Sequence, residues 1–503
     1  MPKRRAEAEA ATEDMVRLEE AAGILGVSRS TLQRMLKQGN VRGFKVGRQW
    51  RFRRSDLDKF GRMSHPSAAG VKVSDLRRIV ASFVEQWKVT GEVQFESTPP
   101  GFPATEEEAS LDELLKRLLA AAAKQGASDI HIEPIRQGTN VRLRVDGVLH
   151  QVMEMPRYAH TPLVVGIKQH AGLALDQDQT AQDGRFRFTL DGVECDVRVA
   201  TLPTIHGESV VMRLLPQAVQ LLTLDSPALG MCAADLERFR RLLHQPCGLL
   251  LVAGPSGCGK TSLLYAGLQH LANPEIKTIT VEDPVEFAFR WVTQAPVNVK
   301  AGFSYEQAVR ATARQDPDVI MIGDLRSQSV ADTAARLAMT GYLVMSVLHA
   351  NSAAGGIWRL LDMGVEPFSL AESLICLVSM RLVRKVCEHC GASDQPDYTI
   401  LSSLAERANA GGYQLPEDPQ FRRGPGCDAC RTSGYHGRTA ICEVMEVTPE
   451  IKRLIAARAS VEALREAAVK NGMTTLAADG LRKAAGGITT VAEVARLLPE
   501  EPK

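Results

Sequence analysis

No stretch of this 503-residue chain approaches the roughly 18–20 consecutive apolar residues that a membrane-crossing helix needs. The run Gly248–Gly254 (GLLLVAG) is short. An ordinary transmembrane helix is therefore excluded. The N-terminus, MPKRRAEAEAATED, has no apolar centre of the kind a secretory signal carries, so the chain is expected to stay in the cytoplasm. Net charge is nearly absent as well: 60 Lys and Arg against 59 Asp and Glu leave +1. No global argument for a polyanionic partner follows. Internal repeats are lacking too. What is present is ordinary for a globular chain, with 45% hydrophobic and 24% charged residues. At ~100–200 residues per domain the length suggests about three or four domains.

Two local features stand out against that background. From Gly26 to Arg54 there is no Asp or Glu but there are nine Lys or Arg. Of the ten cysteines, four fall in two C-x-x-C pairs. In a long cytosolic chain, paired cysteines point to metal rather than disulfides.

The chain divides by pattern. Residues 1–14 are polar and charged and read as a disordered tail. Residues 15–62 read as a compact module. Residues 63–109 read as a linker with one helix, Leu76–Trp87, between two loose stretches, MSHPSAAGVKVSD and ESTPPGFPATEEE. From 110 to 220 an amphipathic helix (LDELLKRLLAAAAKQG) precedes segments that alternate as strands: Asn140–Val145, Arg185–Leu190, Glu194–Val199 and Ser209–Leu214. This is an α+β region. From Gly248, short apolar runs alternate with helical patterns, which predicts a parallel α/β sheet. A cysteine-bearing segment, 387–430, interrupts it, and a helical tail closes the 221–503 region.

The sequence Gly254-Pro255-Ser256-Gly257-Cys258-Gly259-Lys260-Thr261 fits G-x-x-x-x-G-K-[ST], with Ser262 directly after it. A buried strand precedes it and a helix follows. Glycines let the backbone turn its N–H groups toward phosphates, and the helix N-terminus adds partial positive charge. Lys260 can reach the β- and γ-phosphates of ATP, and Thr261 can ligate Mg²⁺. Further acids end the neighbouring strands: Glu282-Asp283-Pro284-Val285-Glu286 after IKTITV, and Asp324 after DVIMIG. Ligands of α/β folds sit at that edge, and an acid there can hold metal-bound water or orient an attacking water. His349 ends the strand Leu343–Leu348, where it can sense the γ-phosphate. Taken singly, a strand-end acid is usually only solvated; the order behind a good phosphate loop is what carries the reading.

Residues of roughly 110–500 resemble the type II secretion and type IV pilus assembly ATPases. The matching stretches include ASDIHIEP (127–134), QDGR (182–185), DVRVATLPTIHGESVVMRLL (196–215), TVEDPVE (280–286), RQDPDVIMIGD (314–324), LLDMGVEPF (360–368) and RLVRKVCEHC (381–390). The resemblance implies a RecA-like P-loop core behind an α+β half-domain. It also implies a homo-hexameric motor that binds ATP between them and powers pseudopilin or pilin assembly against an inner-membrane platform protein, as a peripheral protein on the inner face. It assigns Glu282 and Glu286 to an acidic box and His349 to a histidine box. It gives Arg185 and Arg198 to the half-domain arginines that close on phosphate, and Arg310 and Arg314 to the arginines before the strand that ends at Asp324. Arginine suits such roles because its fork pairs with phosphate oxygens and keeps its charge.

Three departures from the family pattern are visible. Gly323-Asp324-Leu325-Arg326-Ser327 replaces G-E-x-R-D, Tyr342 replaces a histidine, and Val347 replaces a threonine. Aspartate sets its carboxylate back by about 1–1.5 Å, and a misplacement of ~1 Å can cost ~100-fold in rate. Slow hydrolysis is therefore expected. Two other readings stay open: an ATP-dependent DNA-binding regulator, and an ATP-binding scaffold with weak hydrolysis.

Cys387 and Cys390, with Cys427 and Cys430, form two knuckles 36 residues apart. Four thiolates suit tetrahedral Zn²⁺ at ~2.3 Å, in a closed structural shell. Reduced buried cysteines or a redox pair are the alternatives, and His389 is a weaker ligand candidate.

In the N-terminal module, LEEAAGIL and RSTLQRMLK read as two short helices around the turn Gly26-Val27-Ser28. Phe44-Lys45-Val46 and Trp50-Arg51-Phe52 then alternate around Gly47-Arg48 as a hairpin wing. The module resembles the excisionase and MerR-like winged helix-turn-helix family. That resemblance places Ser28, Arg29, Thr31 and Arg34 toward the DNA major groove and Arg48, Arg51, Arg53 and Arg54 along the wing near phosphates. Protein docking is the competing reading.

Overall fold

Two seven-stranded sheets of opposite character organise the chain. The computed structural model describes residues 15–18, 20–21, 44–46, 49–53, 73–87, 89–96, 106–216 and 222–498. The chain separates into two compact units, residues 1–218 and 219–503.

In the first unit a small antiparallel sheet joins β1 (Met15–Arg17), β3 (Gln49–Arg53) and β2 (Phe44–Val46), in that order. The β2–β3 hairpin is the expected wing, and Phe52 on it is fully buried. The strand β1 was not anticipated; its partner lies some 35 residues downstream, beyond the reach of local pattern. Ser28, Arg29, Thr31, Arg34, Arg48 and Arg54, and the bodies of both proposed helices, lie outside the described residues.

The larger sheet of this unit is antiparallel throughout. Its order is β4 (Val93–Phe95), β8 (Gln182–Leu190), β9 (Val193–Thr204), β10 (Gly207–Pro216), β5 (Ala127–Pro134), β6 (Gly138–Val145) and β7 (Val148–Pro156). Alternate residues point inward, so β5 buries Ile130 and Ile132, and β9 buries Cys195, Val197 and Val199. The apolar stripes of α1 (Val73–Trp87), α2 (Glu106–Lys124) and α3 (His160–Ala171) share that core. The segment read as linker, 63–109, supplies Leu76, Phe83, Val89 and Val93 to it.

The second unit carries the α/β sheet. Its order is β13 (Val292–Pro296), β12 (Thr278–Glu282), β14 (Val319–Ile322), β15 (Leu343–Leu348), β11 (Gly248–Ala253), β16 (Leu374–Val386) and β19 (Tyr435–Glu446). All neighbours are parallel except β19, which runs antiparallel to β16. Every residue of β11 is buried, and alternate residues feed different cores. Leu249, Leu251 and Ala253 join one cluster; Leu250 and Val252 join another. A sheet covered on both faces explains why this strand reads as an unbroken apolar run.

Side-chain caps fix where helices begin. Ser304 and Gln307 form a capping box at α6 (Tyr305–Thr312). Thr448, Ser460, Thr475 and Thr490 each accept an N–H bond at the start of a C-terminal helix. Among the described residues, no helix is long and apolar enough to cross a membrane.

Candidate nucleotide site and cysteine cluster

Parallel pairing brings the C-terminal ends of β11, β12, β14 and β15 to one edge of the sheet. The residues between those ends and the next elements make the site. The loop after β11 is tied down where it starts, because the Gly254 N–H donates to the Leu348 carbonyl at 3.2 Å. Gly259 begins α5 (Lys260–Leu271) at φ +96°. Gly254 sits at φ +153°, and a Cβ there would lie 2.8 Å from the Met380 carbonyl oxygen, so a side chain has no room.

Lys260 is 8% exposed. Its ammonium donates to the Gly254 and Pro255 carbonyls at 2.9 and 2.8 Å. Burial holds its pKa below the ordinary lysine value, while Cys258 and Asp324 pull it upward. Lys260 thus feels the acid at the end of β14 across the loop. Thr261 lines an open cleft together with Tyr265, Glu282, Asp283, Glu286 and Arg326.

The acids differ in exposure. Glu282 is 3% exposed and both its oxygens are engaged. The Tyr265 hydroxyl donates to Oε2; Thr280 and the Gln294 amide (3.1 Å) donate to Oε1. Burial, and then the Glu282 charge, drive the Tyr265 pKa upward. Glu286 is exposed at the cleft. Between them the Asp283–Pro284 peptide is cis. Asp324 is held by its backbone: its N–H donates to the Tyr305 hydroxyl at 2.6 Å. Its carboxylate stands 3.4 Å from Arg326 Nε and 4.0 Å from His349 Nε2. Arg326 also pairs with Asp283 at 2.8 Å and lies over the Tyr305 ring. Glu282, Glu286, Asp324 and His349 therefore do share the edge that carries Lys260 and Thr261. Arg310 is exposed on α6 and reaches Ser329 Oγ at 3.4 Å; Arg314 follows α6 and is exposed.

Arg185 and Arg198 belong to the other unit. They stand directly opposite one another on β8 and β9, and Arg213 on β10 stands opposite Arg198. Directly paired residues of antiparallel strands share a face, so the three form one row. Arg213 continues it to Asp129, where its Nε donates at 2.9 Å. Sequence reasoning missed Arg213, because strand register is not visible in one chain.

A second omission is Arg381 on β16, 6% exposed. It donates from Nη1 to the Met380 carbonyl at 2.9 Å and from Nη2 to the Asn351 carbonyl at 2.8 Å. It thus spans the floor of the phosphate loop and the segment just after His349.

The cysteine cluster lies where β16 ends. Cys387 Sγ is 3.9 Å from Cys427 Sγ, Cys390 Sγ is 3.7 Å from Cys430 Sγ, and Cys427 and Cys430 are 3.7 Å apart. A tetrahedron with ~2.3 Å metal–sulfur bonds has edges of about 3.8 Å, so the four thiols have the dimensions of a closed shell. Backbone N–H groups of Cys427 and Gly434 donate to Cys430 Sγ at 3.2 and 3.3 Å, which favours a thiolate there. His389 is exposed and stands outside this group. The long spacer is ordered by α10 (Tyr398–Ala410), whose Leu404 and Ala408 join the core of the C-terminal helices. Further, Arg51 and Arg53 lie on the wing strand β3.

Comparison with known proteins gives two family matches: Type II/IV secretion system protein over residues 104–496, and helix-turn-helix domain over residues 15–62. The Type II secretion system ATPase E of Vibrio cholerae is 40% identical over 396 residues, covering 79% of this chain and 77% of that protein. The Type IV pilus assembly ATPase PilB of Thermus thermophilus is 40% identical over 393 residues, covering 78% of this chain but only 43% of that protein. Among solved structures, the Legionella pneumophila ATPase DotB superposes with a TM-score of 0.57 at 18% identity, covering 76% of this chain and 95% of that one. The pilus retraction motor PilT with bound ADP gives 0.51 at 22% identity, covering 76% and 96%. These two likenesses bear on fold alone.

Proposed function

The chain belongs to the Type II/IV secretion system protein family, and from that premise we propose that it binds ATP in the 254–261 loop and hydrolyses it as a hexameric motor powering pseudopilin or pilin assembly at the inner membrane. The observation that carries this reading is Lys260: a buried ammonium, bonded among the described residues only to carbonyls of its own loop, with Asp324 close enough to feel its charge. Lys260 and the loop N–H groups bind the phosphates. Thr261 holds Mg²⁺, which supplies positive charge against the phosphate oxygens. Asp324 orients the attacking water, Glu286 serves the metal's water shell, and His349 senses the terminal phosphate. Glu282, with both oxygens engaged, fixes Tyr265 and the acidic turn. Arg185, Arg198 and Arg213 offer a row of cations suited to phosphate. Arg310 and Arg314 keep the phosphate-side role that the resemblance gives them.

The test is steady-state ATP hydrolysis by the purified chain, with Lys260→Ala beside it. Turnover absent from both, with no nucleotide bound by either, would sink the reading. Zn²⁺ is the metal we assign to Cys387, Cys390, Cys427 and Cys430; its role is structural, since four thiolates leave no open position. Metal analysis of the purified chain checks it.

A second reading is favoured by one observation, the helix-turn-helix match at 15–62, which contains the acid-free basic stretch Gly26–Arg54. In it the module binds duplex DNA and ATP switches that assembly. Binding to random duplex at low salt, falling steeply as salt rises, supports it; no binding at low salt removes it.

A further inference from the structure

Four lysines or arginines are buried among the described residues: Lys168, Lys260, Arg381 and Lys483. Two of them are neutralised by contact. Lys168 pairs with Glu208 at 2.7 Å and Lys483 with Asp479 at 2.6 Å. The other two are not. Lys260 donates only to the Gly254 and Pro255 carbonyls. Arg381 donates only to neutral oxygens, those of Met380 and Asn351, with the Asn351 side chain at 3.4 Å. Burying a charge without a contacting counter-ion is costly. The two uncompensated cations border the same loop, Lys260 from its end and Arg381 from β16 beneath it. Arg381 Nη1 would lie 3.3 Å from a Cβ placed on Gly254, and the Met380 side chain lies under Gly259.

Neighbouring carboxylates do not remove that charge. Glu443 is near enough to act on Arg381 through space, but its oxygens take the N–H groups of Ala353 and Leu476. Burial holds the Arg381 pKa below the ordinary arginine value, and burial holds the Glu443 pKa above the ordinary glutamate value. A neutral amide could satisfy the carbonyls of Met380 and Asn351 with less desolvation. The charge itself therefore has a use beyond its hydrogen bonds.

We propose that Arg381 is a second buried cation of the phosphate site, a positioning residue whose field acts through the loop floor on the polyphosphate without touching it. The proposal rests on the reading of 254–261 as a phosphate loop. It predicts that affinity lost with Arg381 grows with the charge of the ligand. In Arg381→Gln, Mg²⁺-ATP affinity falls about ten- to a hundredfold, ADP affinity falls less, and AMP affinity falls least. Arg381→Lys keeps the charge, so it keeps the wild-type ATP-to-ADP affinity ratio within about twofold. Titration calorimetry on the full chain, with thermal unfolding of each variant, reads all of this.

Equal losses for the three nucleotides, or none, in a folded Arg381→Gln chain would overturn the proposal, since a merely structural residue cannot count charges. If Arg381→Gln does not fold, Arg381→Lys decides: a collapsed ATP-to-ADP ratio overturns the proposal and a preserved one supports it. Lys260→Ala runs in parallel. Unchanged ATP binding in that variant strikes the site reading itself. Lost binding there, beside normal binding in Arg381→Gln, strikes only the inference about Arg381.

Discussion

The phosphate loop and the four-cysteine cluster lie in the same unit, joined by one strand, and hold charge in opposite ways. The loop is made of backbone on a buried strand end. The two cations at it, Lys260 at the loop's end and Arg381 on β16, meet only carbonyl oxygens among the described residues, so the site has charge left over for a ligand. The cluster is made of side chains that face one another at 3.7–3.9 Å. Four thiolates around one divalent ion leave nothing over for a substrate. An open site for exchange and a closed shell proposed to hold one metal ion require different chemistry, and each should fail in its own way.

The largest separation between them comes from Lys260→Ala. ATP hydrolysis should fall by about a hundredfold or more, the usual cost of removing one charged donor from a transition state. Metal content and melting temperature should stay at wild-type values. Coupled-enzyme kinetics and metal analysis on one preparation measure both. Next in size is Cys427→Ser. Bound metal should be lost, and stability should drop by about 2 kcal/mol or more, a Tm decrease of about 4–8 °C by calorimetry. Nucleotide affinity should move little. A matching collapse of nucleotide binding would break the contrast between the sites.

Asp324→Glu sharpens the open site alone. Restoring the missing methylene should raise kcat by about tenfold, within the range expected of a ~1 Å correction. An unchanged kcat would mean that the Tyr305 bond to the Asp324 backbone already sets the carboxylate where it is needed.

The smallest effect concerns a charge that belongs to neither site. Burial pushes Glu493 up, but bonds from Arg496 and Arg384 prevail and hold it below the ordinary 4.5. A depressed folded-state pKa stabilises the chain above the unfolded value. That contribution should be complete above about pH 4.5 and fade as pH falls through the folded value. Glu493→Gln should flatten this acid-side slope in urea melts recorded at several pH values.

Much of the open site was legible in the sequence because its strands are covered on both faces. Such strands read as continuous apolar runs, and glycine, lysine and acids punctuate their ends. The four cysteines were legible from spacing. Other parts were hidden for definite reasons. Arg213 joins Arg185 and Arg198 only through register, which no single strand reveals. Arg381 sits within an apolar strand, where nothing local distinguishes a buried guanidinium from an exposed one. The strand Val148–Pro156 shows no clear alternation, since only Val152 and Met155 along it are buried. The helix expected at Leu76–Trp87 is present as Val73–Trp87, but its place in the core depends on Leu114 and Ile130, which are distant in sequence.

The alternation along β11 has a further consequence. Because odd and even residues of Gly248–Ala253 fill separate cores, sliding the strand by one position would exchange the contents of both layers at once. Hydrogen bonding to β15 on one side and β16 on the other closes off the remaining play. In heavy water, the amides of Leu249–Val252 should be among the last in this unit to take up deuterium, surrendering only when the unit as a whole comes apart. The lysine is then presented from an anchorage that outlasts any local breathing of the glycines in front of it.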